Sequence, residues 1–197
     1  MQIDIIEHEP PYRVGYIVGS LSRESINRRL SEALVKLAPA EMQMEEIGYA
    51  DLPLYNRDFD ADYPQVARDF KEKIQAVDAV LFVTPEYNRS IPGALKNAID
   101  WGSRPWGQNV WANKPTAMIG ASAGQIGTAV GQQSLRATLA FLNVRQMTSP
   151  EAYIHFTEGL VAEGGEVTVD STKEFLRTYM QEFLDFMARV LTVVPRH

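Results

Sequence analysis

Three short stretches of the chain gather residues whose types and spacing suit chemistry. The first runs Gly19-Ser20-Leu21-Ser22-Arg23-Glu24-Ser25-Ile26-Asn27. It places three hydroxyls, a guanidinium and an amide just before or inside the first turn of an expected helix. A helix start offers N–H groups without intrahelical acceptors and a partial positive charge, so this set suits an anion, and a phosphate in particular. The same serines and Asn27 also read as caps and turn formers. With Gly15 and Gly19 as its only glycines the region is no GxGxxG fingerprint, and no Gly-Lys-Ser/Thr follows to make a P-loop. A monophosphate held by hydroxyls and amides fits better than a triphosphate with magnesium.

The second stretch is Thr84-Pro85-Glu86-Tyr87-Asn88-Arg89-Ser90-Ile91-Pro92-Gly93. Two prolines bracket a stiff segment with an aromatic, an amide and backbone N–H groups, a shape that lies well along a flat heterocycle. It also reads as a proline-stiffened turn between strand and helix, and Asn88-Arg89-Ser90 matches a glycosylation sequon. The third is Gly120-Ala121-Ser122-Ala123-Gly124-Gln125-Ile126-Gly127. Its GxSxG pattern is that of a hydrolase nucleophile elbow, and Ser122 with Asp170 or Asp185 and His197 would complete a triad order. Against that reading, Gly124 and Gly127 delay the helix, His197 is the last residue, and His155 precedes both aspartates. The other reading is a small-residue loop that lets backbone approach a ligand.

Asp58, Asp60 and Asp62 have calcium-loop spacing, but Tyr63 stands where Gly is needed and Asp69 replaces the terminal Glu. His8, His155 and His197 have no metal-ligand spacing. No metal site is expected.

The elements that must position these stretches alternate between strand and helix. Tyr12 to Val18, Ala79 to Thr84 and Pro115 to Ala121 read as buried strands, Met42 to Ile47 as an edge-side strand, and Val144 to Met147 as a short one. Helices are expected from Ser25 to the stop at Pro39, over Pro64 to Val77, Gly93 to Trp101, about Ala129 to Phe141, and Thr172 to Val193. Asp51 to Asp62 reads as a loop and 102–114 as an excursion. Such alternation means parallel strands joined by right-handed crossovers, here five strands in a three-layer α/β sandwich. In such sheets ligands bind beyond the strand C-termini at a topological switch point, which is where all three stretches fall.

The 197 residues form one expected domain, 1–197, with residues 1–11 as a possible N-terminal arm and Ile3 to Ile6 as an arm or extra edge strand. A net charge of −6 without a basic run argues against a general nucleic-acid binder. With no cysteine, thiol nucleophiles, disulfides and iron–sulfur clusters are excluded, so redox chemistry would need a bound cofactor. The first residues lack a signal-peptide pattern and no window reaches the ~18 apolar residues of a membrane span, which makes a cytoplasmic protein the expectation.

With all three stretches in view, the sequence resembles the NADPH-dependent FMN reductase family, and within it the NAD(P)H:quinone reductases that include bacterial chromate reductases. The likeness covers about Arg13 to Phe156 and, more loosely, the C-terminal helix. Its most specific motif is Thr84-Pro85-Glu86-Tyr87-Asn88, continued by Ser90, Pro92, Gly93, Leu95, Lys96, Asn97, Ala98, Ile99, Asp100 and Trp101. The resemblance implies a flavodoxin-like sheet of order 2-1-3-4-5. It implies FMN, with Gly19 in the first loop and the phosphate at Ser20, Ser22, Arg23, Ser25 and Asn27. Pro85, Glu86, Tyr87, Asn88, Ser122 and Gly124 would contact the ring and ribityl chain. NADPH or NADH would be the donor, and a quinone, flavin, azo compound or metal oxyanion the acceptor. An FMN-binding electron carrier is the alternative within this class.

Two positions depart from the family pattern: Ser22 stands where a basic residue is usual, with Arg23 beside it, and Arg89 stands where an aromatic is common. Arg89 and Arg104 are expected as cations at the substrate mouth. The family also implies homodimers or homotetramers with sites at subunit contacts, where Trp101, Trp106 and Trp111 are expected unless they are core.

Overall fold

Ala79 to Val83 shows why the sheet forms: all five residues are buried, and successive side chains point to opposite faces. In the computed structural model, which describes residues 9–193, Ala79, Leu81 and Val83 pack into one core while Val80 and Phe82 pack into the other. The elements run β1 (Tyr12–Val18), α1 (Ile26–Leu37), β2 (Met42–Glu46), a 3₁₀ turn (Arg57–Asp60), α2 (Gln65–Gln75), β3 (Ala79–Val83), α3 (Gly93–Ser103), β4 (Pro115–Ser122), α4 (Ala129–Phe141), β5 (Arg145–Gln146), β6 (Tyr153–His155) and α5 (Asp170–Leu191). The parallel sheet has the order β2-β1-β3-β4-β5, with β6 also paired to β4. Helices α1 and α5 cover one face, and α2, α3 and α4 the other. This is the flavodoxin-like sandwich.

The fifth place in the sheet is filled twice. β5 pairs with Pro115 and Thr116 at the start of β4, and β6 with Gly120 to Ser122 at its end. Between them lies Pro150, which has no N–H to continue a ladder. The sequence reading expects β5 and misses β6. The Asp51 to Asp62 loop is also more ordered than expected, since Asn56 caps the 3₁₀ turn through Asp58 N–H at 2.8 Å. Ile3 to Ile6 lies outside the described residues.

Two of the three tryptophans are core. Trp101 is fully buried, donates from Nε1 to Pro53 O at 2.7 Å and meets Tyr55 and Tyr63 edge-on. Trp111, 1% exposed, donates to Ile99 O at 3.0 Å. Each such burial stabilises the fold by roughly 1.5–3 kcal/mol. Their indole N–H groups face these carbonyls, which corrects the expectation that they line a subunit contact. Trp106 alone is exposed, at 77%.

Candidate functional site

The three loops meet at one edge of the sheet because the strands that launch them are neighbours in register: Val18 lies beside Val83, and Val83 beside Ile119. Direct bonds then join the loops. Gly19 N–H donates to Val83 O at 2.8 Å, and a Cβ at Gly19 would stand 2.4 Å from Thr84 Oγ1, so only glycine lets loop one pass this close to loop two. Asn27 clamps loop one to loop three. Its Nδ2 donates to Ala121 O at 2.9 Å and its Oδ1 accepts from Ala121 N–H at 2.8 Å.

Loop one gathers hydrogen-bond donors at a helix start, a set that would suit an anion. Ser25 is the N-cap of α1, its Oγ accepting from Arg28 N–H at 3.3 Å, which leaves its hydroxyl proton to donate outward. Ser20 Oγ accepts from Ser22 N–H at 3.3 Å and keeps its proton in the same way. Ser22 and Arg23 are exposed. No acidic residue stands in the first turn of α1, and among the described residues no acceptor meets the N–H groups of Ile26 and Asn27. Asn27 differs from expectation. It is 1% exposed with its side chain spent on Ala121, so its side chain positions the loop from below instead of facing a phosphate.

Loop two is a tight turn docked on α4. Tyr87 and Ser90 exchange backbone hydrogen bonds at 2.9 and 3.0 Å, and Asn88 and Arg89 between them have φ of 51° and 64°. Pro85 is buried and Tyr87 is 51% exposed. Glu86, expected against the cofactor, turns the other way. One carboxylate oxygen accepts from Gly131 N–H at 2.9 Å, capping the start of α4, and the other takes Arg89 Nη1 at 3.1 Å. Thr128 at that helix start makes no side-chain cap of its own. Ser90 and Ser134 hydroxyls add a contact at 2.9 Å.

Loop three folds on itself: Gly124 N–H donates to Ser122 Oγ at 3.1 Å, and Gly127 N–H to Gly124 O at 3.0 Å. Helix α4 starts at Ala129, seven residues past Ser122, so Ser122 is not on an elbow. His155 contacts Gly124 O instead of Ser122, while Asp170 and Asp185 belong to α5. His197 lies outside the described residues. The hydrolase reading therefore finds no assembled base.

Arg89 lies on loop two, 66% exposed and paired with Glu86. The expectation for Arg104 is corrected. It follows the C-terminus of α3, which leaves loop two and runs 11 residues back along the sheet, about 16 Å at the helical rise. There its guanidinium stacks over Trp106 at 5.6 Å, toward the opposite edge. Two residues beside the loops are absent from the site residues expected from sequence. Tyr49, beyond β2, donates to Val18 O at 3.0 Å, and burial pushes its phenol pKa well up. His155 arrives on β6. The β-rich run Tyr153-Ile154-His155-Phe156 is the signal that could have found it. Among the described residues no group of acidic or histidine side chains could hold a metal.

The donor set fits FMN. Hydroxyls, Arg23 and a helix start suit its phosphate, and a turn with exposed Tyr87 beside a glycine-containing loop suits a flat ring. A flavodoxin-like sheet with a donor-rich loop after its first strand defines the class: an α/β nucleotide-site protein of the doubly wound type. The profile described as NADPH-dependent FMN reductase matches residues 12–159, and the chain belongs to that family. It is 47% identical over 171 residues to a 2-hydroxy-1,4-benzoquinone reductase of Burkholderia sp., covering 87% of this chain and 93% of the relative. A quinone reductase of Pseudomonas putida is 45% identical over 177 residues, 89% and 95% covered. The structure of FerB, a flavoenzyme NAD(P)H:(acceptor) oxidoreductase from Paracoccus denitrificans, superposes with a TM-score of 0.87 at 43% identity, covering 90% of this chain and 98% of that one.

Proposed function

We propose that the chain is an FMN-dependent oxidoreductase that takes hydride from NADPH or NADH and reduces quinones or similar acceptors. The observation that carries this reading is the meeting of three loops at the switch point, one rich in donors at a helix start and two bound to its flank by Asn27 and Gly19. The likeness to named quinone reductases supports the acceptor class. Bound FMN would supply the hydride chemistry, which belongs to the cofactor. The chain's own residues would bind and orient. Ser20, Ser22, Arg23, Ser25 and the N–H groups of Ile26 and Asn27 would hold the phosphate, and Tyr87, Asn88, Ser122 and Gly124 the ring and ribityl chain. Arg89 would add positive charge where a phosphorylated nicotinamide enters.

This reading places the protein in the cytoplasm, where reduced nicotinamide is made, as a homodimer or homotetramer. Among the described residues no helix is long and apolar enough to cross a membrane. The test is direct. Purified protein is expected to carry, or take up, one FMN with absorbance near ~450 nm. NADPH or NADH should bleach it in stopped flow, and a benzoquinone should restore it. Failure to take up FMN would sink the proposal. Uptake without bleaching by either nicotinamide would leave an electron carrier.

A further inference from the structure

The Gly124 carbonyl takes two donors, Gly127 N–H at 3.0 Å and His155 Nδ1 at 3.1 Å. A carbonyl oxygen has two lone pairs, so both are engaged. Because this oxygen only accepts, His155 must present a proton on Nδ1, as the Nδ1–H tautomer or as imidazolium. His155 reaches it because β6 lies parallel to the end of β4 with His155 beside Ser122. Behind them Gly127, at φ +63°, lies so close to Tyr153 that a Cβ would stand 2.9 Å from its carbonyl carbon. The Gly124 N–H is in turn spent on Ser122 Oγ. Several donors remain free on this loop. The Ser122 hydroxyl proton and the N–H groups of Ala123, Gln125 and Ile126 meet no acceptor among the described residues.

We propose that His155 is a positioning residue of this loop: by occupying the second lone pair of Gly124 O it removes that carbonyl as an acceptor toward an electron-rich ring and leaves the neighbouring Ser122 hydroxyl and N–H groups to meet it. The proposal rests on the FMN reading above. A loop with one acceptor fewer favours the reduced ring, which carries more negative charge than the oxidised one. Without the imidazole, Gly124 O keeps a free lone pair beside that charge. Binding should then weaken, and more for reduced than for oxidised FMN, which lowers the midpoint potential.

The experiment compares His155→Ala and His155→Gln with wild type. FMN is titrated into apoprotein by fluorescence quenching, and the midpoint potential is taken by dye equilibration. His155 is exposed, so alanine spares the core, and circular dichroism checks the fold. His155→Ala is expected to raise the FMN Kd about threefold to tenfold, the scale of one hydrogen bond, and to lower the potential. His155→Gln, whose amide can donate to the same carbonyl, should recover most of both. Wild-type values in His155→Ala would overturn the proposal. So would a higher Kd with no change in potential and no recovery by glutamine, which would mean a purely structural contact. If wild-type protein takes up no FMN, the FMN reading fails before any variant is made, and this proposal with it.

Discussion

Arg89 carries its charge on a backbone conformation that favours glycine. At φ 64° it is the second of two consecutive left-handed residues in the 87–90 turn, where a side chain costs roughly 1–2 kcal/mol. Its guanidinium reaches Glu86, whose carboxylate is itself held by Gly131 of α4, so the cation is tethered and still 66% exposed. A tethered exposed charge should act on an approaching anion and leave a cofactor held by other groups alone. Arg89→Ala and Arg89→Gly are both expected to raise the nicotinamide KM about threefold to tenfold, the scale of one exposed charge at about 1 kcal/mol, with FMN affinity near wild type. The loss should shrink at high salt. Only Arg89→Gly should also raise the urea midpoint, because glycine adopts the turn without strain. Unchanged KM in both variants would make Arg89 a surface residue with no part in the site. The residue scale is also where sequence reasoning reached its limit. Residue types in loop two were legible from the motif, but Glu86 pointing into α4 depends on Gly131, 45 positions away. The direction of Asn27 likewise depends on Ala121, 94 positions away.

Elements were more legible than side chains, because burial repeats along them. β1 and α4 have the expected bounds, and the other long helices differ by a few residues at their ends, where fraying and capping decide. β6 left only its β-rich composition to read: three residues beyond Pro150 give no period, and pairing to the free end of β4 makes them a strand. At the opposite edge of the sheet one side chain ties the element starts together. Lys114, 4% exposed, donates from Nζ to Val77 O at 2.6 Å, and its own carbonyl accepts from Arg145 N–H at 3.1 Å, so β3, β4 and β5 begin around it. Burial pushes its pKa down to about 8, against an opposing pull from Asp78. The ordinary lysine value is 10.5. Between those values the unfolded chain holds the proton and the folded chain has shed it, so stability rises with pH across that window. The urea midpoint of wild type is therefore expected to climb from pH 7.5 to 9.5, and that climb should be clearly smaller in Lys114→Met, with Lys71, whose pKa burial also lowers, supplying the remainder. Parallel pH profiles for the two proteins would show that Lys114 stays charged in the fold.

At the scale of the whole molecule the chain leaves an apolar groove of about 770 Å³ between α3 and α4. Trp106 and Phe141, each 77% exposed, both line it, together with Leu142 and the outer face of α3 at Lys96 and Asp100. Single exposed apolar residues are ordinary, whereas two large aromatics on one concave surface would suit a contact. The Trp106 ring is held by Arg104, which fixes it for packing at little entropic cost. A second copy of this chain is the occupant that the oligomeric reading calls for, and it would give Trp106 the interface role that burial denies to Trp101 and Trp111. Trp106→Glu with Phe141→Glu is expected to reduce the mass seen by light scattering to that of one chain, 22.1 kDa. The first loop is untouched by these changes, so FMN content should fall little. If sites are completed at subunit contacts, turnover should fall much further than FMN content. A double variant with wild-type mass would remove this groove as the interface, and a wild-type protein of 22.1 kDa would remove the oligomer itself.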